Sequence, residues 1–273
     1  GEIDAWATTP TFLAQVDPAA SNLSVLSYNQ SRVGYLELNA KTLPDKAVRQ
    51  AIFYALNRDE MALAVYRDPE YYDSVYTFLP PNSAYYDDSE TEKYVTDAEK
   101  AKALLAEAGA EGLAVTIGYA SSDTTQEMWA LLAQQELGLA GITAELNPME
   151  SSAYYKVMKE EEKPFDIFFG GFIMGSDPQT YACLFTTGSS SNYTGASMEQ
   201  VDKLFADGVA TFDETERAVI YKELQKELQD EAVFYPIASN RYLVLMNNRV
   251  GGIEECGLVP IYTLCDASYL TLN

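Results

Sequence analysis

From Thr96 onward, apolar positions recur in two alternating rhythms. Leu113–Tyr119, Ile142–Leu146 and Phe165–Gly170 read as short buried strands, and the segments between them carry the three-to-four spacing of helices. Thr96-x-x-Glu99 and Thr124-x-x-Glu127 have the form of capping boxes, in which a hydroxyl and a carboxylate satisfy free amide groups at a helix start. A third helix is expected over Ser151–Glu161. Strand, helix, strand, helix, strand with short connections is a βαβαβ unit, which implies parallel strands and right-handed crossovers.

The flanks are less regular. The first 34 residues read as strands and loops, Leu23–Ser27 among them, and a strand is expected over Tyr35–Asn39. Pro44 is placed for the first turn of a helix with Val48, Ile52, Ala55 and Leu56 on one face. Residues 66–95 read as a long loop rich in Tyr, Pro and Asp. A short helix is expected over Gln179–Phe185 and longer ones from Ser197 and Asp213. Strands are expected over Val233–Ala238 and Tyr242–Met246, before a β-rich tail. A regular α/β middle between two strand-rich pieces implies a neighbouring lobe to which both termini return. Crossing segments are expected near Arg32–Tyr35 and Asn247–Val250, an arrangement suited to closure on a ligand.

Charge removes several functions. The 273 residues contain 41 acidic and 18 basic side chains, a net charge of −23, and no histidine. Nucleic-acid binding, which needs clustered Lys and Arg against phosphates, is disfavoured, as is docking on an anionic membrane. Without histidine there is no Ser-His-Asp or Cys-His mechanism and no His-ligated zinc. Cys183, Cys256 and Cys265 have no metal-ligand spacing; Cys256 and Cys265 are close enough in sequence to pair if their backbones approach. No metal and no cofactor is expected. No stretch has the roughly 20 apolar residues of a membrane span, and no leader peptide is expected within this sequence, which reads as a cut or processed chain.

Ligands of open parallel sheets bind beyond the carboxyl ends of the strands. Here that place is Gly170-Gly171-Phe172-Ile173-Met174-Gly175-Ser176-Asp177-Pro178, with glycines for close backbone approach and Asp177 also suited to capping the next helix. The loop has no lysine and no phosphate-loop pattern. Asp166 and Asp177 flank one strand, too far apart for a paired-carboxylate hydrolase. The 20 tyrosines, including Tyr71, Tyr72, Tyr76, Tyr85, Tyr86, Tyr181 and Tyr193, offer flat faces for a sugar or peptide but equally pack loops onto a domain. Asn192-Tyr193-Thr194 matches a glycosylation sequon, a pattern too short to weigh.

Gly34-Tyr-Leu-Glu-Leu-Asn39 followed by Val48-Arg-Gln-Ala-Ile-Phe-Tyr-Ala-Leu-Asn-Arg58 resembles the oligopeptide, dipeptide and nickel class of ABC-importer solute-binding proteins, family 5. Phe165-Asp166-Ile167 through Gly171-Phe172, Asp177-Pro178 and Leu184-Phe185, with Asn192-Tyr193 beyond, resembles a second segment of that class. The resemblance implies an α/β, periplasmic-binding-protein-like lobe with a βαβαβ parallel core, plus strand-rich remnants of the other lobe. The implied division is 1–34 as a remnant of the first lobe, 35–249 as the ligand-binding lobe and 250–273 as the return segment.

The implied function is non-catalytic. An extracytoplasmic, often lipid-anchored monomer would capture a small, peptide-like solute and deliver it to an ABC permease in the membrane. Gly171, Phe172, Ile173, Met174, Asp177, Tyr181 and Tyr193 are the implied ligand-binding residues. In peptide-binding members an aspartate four residues before the Pro holds the peptide ammonium; that position here is Met174. The substitution leaves longer or blocked peptides, oligosaccharides and metal chelates open as ligands. A carboxylate-dependent hydrolase and a sensory or adhesive lobe are the readings from other classes.

Overall fold

The computed structural model describes residues 3–87, 89, 93–256 and 267–272. In chain order the elements are β1 (Ala5–Thr8), α1 (Pro10–Leu13), β2 (Leu23–Asn29), β3 (Arg32–Leu38), α2 (Lys46–Ala55), α3 (Arg58–Tyr66), β4 (Tyr72–Ser74) and α4 (Ala98–Glu107). There follow β5 (Ala114–Ala120), α5 (Thr124–Leu139), β6 (Thr143–Met149), α6 (Ser151–Val157), β7 (Ile167–Ile173) and α7 (Ala182–Phe185). The chain continues through α8 (Glu199–Ala210), α9 (Glu214–Glu231), β8 (Phe234–Asn247), β9 (Val250–Gly251) and β10 (Thr271–Leu272).

The βαβαβ unit folds as its spacing predicts: β5 pairs in parallel with β6 on one side and with β7 on the other. Strand β3 then pairs antiparallel with β7 and with β8, giving the order β6-β5-β7-β3-β8. Side chains alternate across β3. Leu36 and Leu38 enter one apolar cluster with Ile52, Phe53, Trp129 and Phe169, whereas Tyr35 enters another with Phe185, Phe205, Tyr221 and Phe234. Helices therefore cover both faces, as a buried sheet with parallel strands requires. Trp129 lies against the backbone of Gly34, where a Cβ would stand 2.6 Å from the indole, and its Nε1 donates to the Met61 carbonyl at 2.9 Å.

The Val48–Arg58 motif is structural. The buried Arg49 guanidinium donates to the carbonyls of Leu43, Pro44 and Glu231, the last at the carboxyl end of the 18-residue α9. A cation there also opposes the negative end of the helix dipole. Asn57 accepts from the Glu60 amide to cap α3, and Arg58 donates to the Pro236 carbonyl while stacking on Tyr76 and Tyr235.

Several elements differ from expectation. Pro44 lies just before the helix it was expected to enter, and Asp45 caps α2 instead. The caps of α4 and α5 are Asp97 and Asp123, one residue before or after the expected threonines, because a short carboxylate makes a charge-assisted bond to the amides of the first turn. Thr96 donates to the Leu56 carbonyl. Ser197 makes no cap for α8, which begins with no side-chain cap, whereas Asp213 caps α9 as expected. The stretch 66–95 is not one loop: it contains β4, which pairs with β8.

The two strands expected over 233–246 form one 14-residue strand. Its first part pairs with β3 and β4 as far as Asn240, and the part from Arg241 pairs with β2 and β1. Strand β8 thus joins the α/β body to the amino-terminal strands without a break. Cys183 is exposed and Cys256 buried; a Cys256–Cys265 pairing involves a residue outside the described ones.

Candidate functional site

The expected binding loop starts later than its sequence implies. Gly171, Phe172 and Ile173 belong to β7, opposite Gly34, Val33 and Arg32 of β3, so only Met174–Asp177 connects strand to helical turn. The extension follows from β3, an antiparallel partner that local spacing could not reveal. On the other side, β5 pairs with β7 only at Ile167 and Phe168. At Phe169 the Tyr154 hydroxyl replaces it, accepting from the amide at 3.0 Å and donating to the carbonyl at 2.9 Å. Beyond that point no described strand pairs with this edge of Gly170–Ile173. An open strand edge presents backbone donors and acceptors to an extended ligand.

Phe172 and Ile173 are exposed on this segment, 39% and 43% accessible, unlike the fully buried Phe168 and Phe169 of the same strand. Phe172 keeps one ring neighbour, Tyr35, at 6.2 Å. Met174 packs partly against the cluster around Tyr35. Asp177 caps the turn that follows, accepting from the Gln179 amide at 2.8 Å, and its other oxygen is 3.7 Å from Arg217. Tyr181 corrects the expectation of an exposed aromatic face: the ring is 2% accessible against Phe78, and its hydroxyl donates to the Gly175 carbonyl at 3.0 Å. Burial raises that phenol. Tyr181 therefore shapes the loop from beneath.

Tyr193 lies apart from this group. It packs beside Tyr154 and Phe165 and lines a different cavity, of about 480 Å³, with Lys41 and Lys163. Asp166 is held by β5, accepting from the Thr116 amide at 2.8 Å. Seven strand residues separate it from the loop, roughly 23 Å at the rise of a β-strand, against about 10 Å at most for paired carboxylates.

Two features had no sequence signal. Glu37 is buried on β3 with no partner for either carboxylate oxygen, and burial raises its pKa to about 8. A cavity of about 590 Å³ is lined by residues 8–11, 64–67 and 240–243, by Thr124, Thr125 and Met128, and by Gln30 and Arg32. Among the described residues no group of three Asp, Glu or Cys side chains stands ready to hold a metal, and no helix is long and apolar enough to cross a membrane.

Residues 1–193 match the family model described as "Bacterial extracellular solute-binding proteins, family 5 Middle". The dipeptide-binding protein of Escherichia coli K12 is 31% identical over 231 residues, covering 81% of this chain and 42% of that protein. Among solved structures, the ABC transporter substrate-binding protein CtaP of Listeria monocytogenes superposes with a TM-score of 0.94 at 32% identity, over all of this chain and 56% of that one. A putative peptide-binding protein, AppA, of Clostridium difficile superposes with a TM-score of 0.90 at 31% identity, over all of this chain and 57% of that one. The chain spans about half the length of the relatives it matches.

Proposed function

The chain belongs to family 5 of the bacterial extracellular solute-binding proteins, and from that premise we propose that it is the ligand-holding half of an ABC-importer receptor. It captures a small, peptide-like solute without catalysis, outside the cytoplasm, as a monomer, and delivers it to a membrane permease. The observation that carries this reading is the open edge of β7 at Gly170–Ile173, flanked by the exposed Phe172 and Ile173. An extended peptide can add its backbone to that edge, with alternate side chains against apolar faces. Gly171, Phe172, Ile173 and Met174 would touch the solute directly, Asp177 and Tyr181 would hold the loop, and Tyr193 would lie at a distance.

The chain from residue 35 to the return crossing then forms the ligand-binding lobe, and 1–34 together with the chain beyond that crossing belongs to the other. The exchange of partners along β8 supports placing the return crossing at 239–241, earlier than the 247–250 expected from the pattern.

A specific observation favours a second ligand class. Met174 occupies the position from which a carboxylate would hold a peptide ammonium, and the nearby Asp177 is engaged in capping and with Arg217. A solute without a free amino terminus, such as a blocked peptide or a metal chelate, fits that chemistry. Calorimetric titration of this chain with free tripeptides, their N-acetylated forms and a nickel–histidine complex separates the two. Saturable binding of a peptide in either form supports the proposal; binding of the complex alone moves the ligand class, and binding of none overturns both.

A further inference from the structure

Glu37 has no role at the open edge of β7, yet it influences two groups, Lys163 and Tyr193, that line the cavity of about 480 Å³. This cavity lies at the other end of the lobe from the solute edge. Lys41, on its rim, follows the end of β3, where Leu38 pairs with Ile167, and Ile173 stands at the opposite end of that seven-residue strand, roughly 20 Å away at a strand's rise.

The charged side chains lining the cavity are Lys41, Lys159, Lys163, Glu160 and Glu161. Lys41 is tied to Glu161 at 2.7 Å. The Lys163 Nζ donates to the Glu160 carbonyl at 2.8 Å and has no carboxylate within ion-pair distance among the described residues. Of the chain's eleven lysines, Lys100, Lys156, Lys159 and Lys226 share that lack, but all four are exposed; Lys163 alone is partly buried. An ammonium there is poorly compensated. One carbonyl accepts from it where it has three protons to donate. Burial, and then the like charge of Lys41, favour the neutral amine over the opposing Glu37 and Glu161. Glu37 is itself held protonated by burial until about pH 8, so it supplies no full negative charge near neutrality. A neutral lysine amine in a cavity is a nucleophile toward carbonyl carbon.

We propose that Lys163 is a covalent modification site that takes a small carbonyl compound, an aldehyde or a 2-oxo acid, as an imine in this cavity. The amine nitrogen adds its lone pair to the carbonyl carbon, and one amine proton passes to the carbonyl oxygen. The resulting hydroxyl then leaves as water with the remaining amine proton, and a carbon–nitrogen double bond forms. Nothing is oxidised or reduced. Tyr193, whose phenol burial keeps protonated, lines the same cavity and supplies a donor for the carbonyl oxygen. The site turns nothing over and is independent of the solute reading at the β7 edge.

The test treats the folded chain near neutral pH with propanal and, separately, with pyruvate, each in the presence of cyanoborohydride, which reduces an imine to a stable secondary amine. Digestion and mass spectrometry then give the extent of modification at each lysine. Lys163 should be modified at least about threefold faster than the mean of the other ten with one or both probes. The preferred probe identifies the carbonyl class. In urea strong enough to unfold the chain the preference should vanish. Lys41→Gln, at a side chain 45% exposed, removes the neighbouring positive charge; it should slow Lys163 modification and carry its pH profile to higher pH. Modification of Lys163 at or below the mean with both probes, a preference that persists in urea, or a pH profile unmoved by Lys41→Gln overturns the proposal.

Discussion

Replacing Glu37 by Gln should make the protein more stable at alkaline pH and leave it nearly unchanged in acid. The carboxyl is 1% accessible, with neither oxygen hydrogen-bonded, and its surroundings are Tyr35, Tyr154 and Tyr193, with Lys163 the one cation that lowers its pKa. Burial outweighs the lysine and raises the carboxyl from 4.5 to about 8. Between these values the folded chain holds a proton that the unfolded chain has released, so stability falls as pH rises. Each pH unit in that window costs about 1.4 kcal/mol, which gives a penalty of about 3 kcal/mol at neutrality and a ceiling of about 5 kcal/mol above the folded value.

Glu136, raised by burial to about 7, contributes with the same sign but is present in both proteins and cancels in the difference. The assay is urea unfolding of the parent and Glu37→Gln from about pH 5 to about pH 9, reading the difference in unfolding free energy. The difference should start near zero and grow in favour of the variant. Parallel curves would refute the reasoning, because they would mean that Glu37 ionises in the folded state as freely as in the unfolded one.

Phe172→Ala should lower solute affinity by about tenfold or more while shifting the unfolding midpoint by less than about 0.5 kcal/mol, since the ring is exposed; calorimetry and urea unfolding read the two effects. Tyr181→Phe should cost about 1 kcal/mol of stability by removing the bond to the Gly175 carbonyl, measured by the same unfolding assay. Gly118→Ala should destabilise by about 1–3 kcal/mol, because its methyl would overlap the Phe165 ring, and a midpoint equal to the parent's would show that the ring moves aside without cost.

The parallel core was legible because β5, β6 and β7 are short apolar runs separated by helices with acidic or hydroxyl starts, all information within about 20 residues of chain. The errors have a common physical origin in distant partners. Ile173 stays in a strand because Arg32 pairs with it, and Ser239–Arg241 continues β8 because β4 and then β2 supply hydrogen bonds on either side of a polar interruption. Phe172 is exposed, whereas Tyr181, from the same stretch, is buried because Phe78 arrives from a segment read as loop. Arg32, Arg67 and Arg241 have no mutual spacing to read; only the fold brings them to one cavity. Arg49 and Arg58 carried the clearest family signal, and their role is to hold α9 and β8 against α2 and α3.

The central claim is that this chain holds a solute and releases it unchanged. Native mass spectrometry of the chain after overnight incubation with the tightest-binding solute from the titrations tests it most directly. The account predicts one solute per chain, ejected on collisional activation at its original mass, and loss of the adduct in Phe172→Ala. Cleaved or otherwise altered solute, or an adduct that survives removal of the Phe172 ring undiminished, would contradict it.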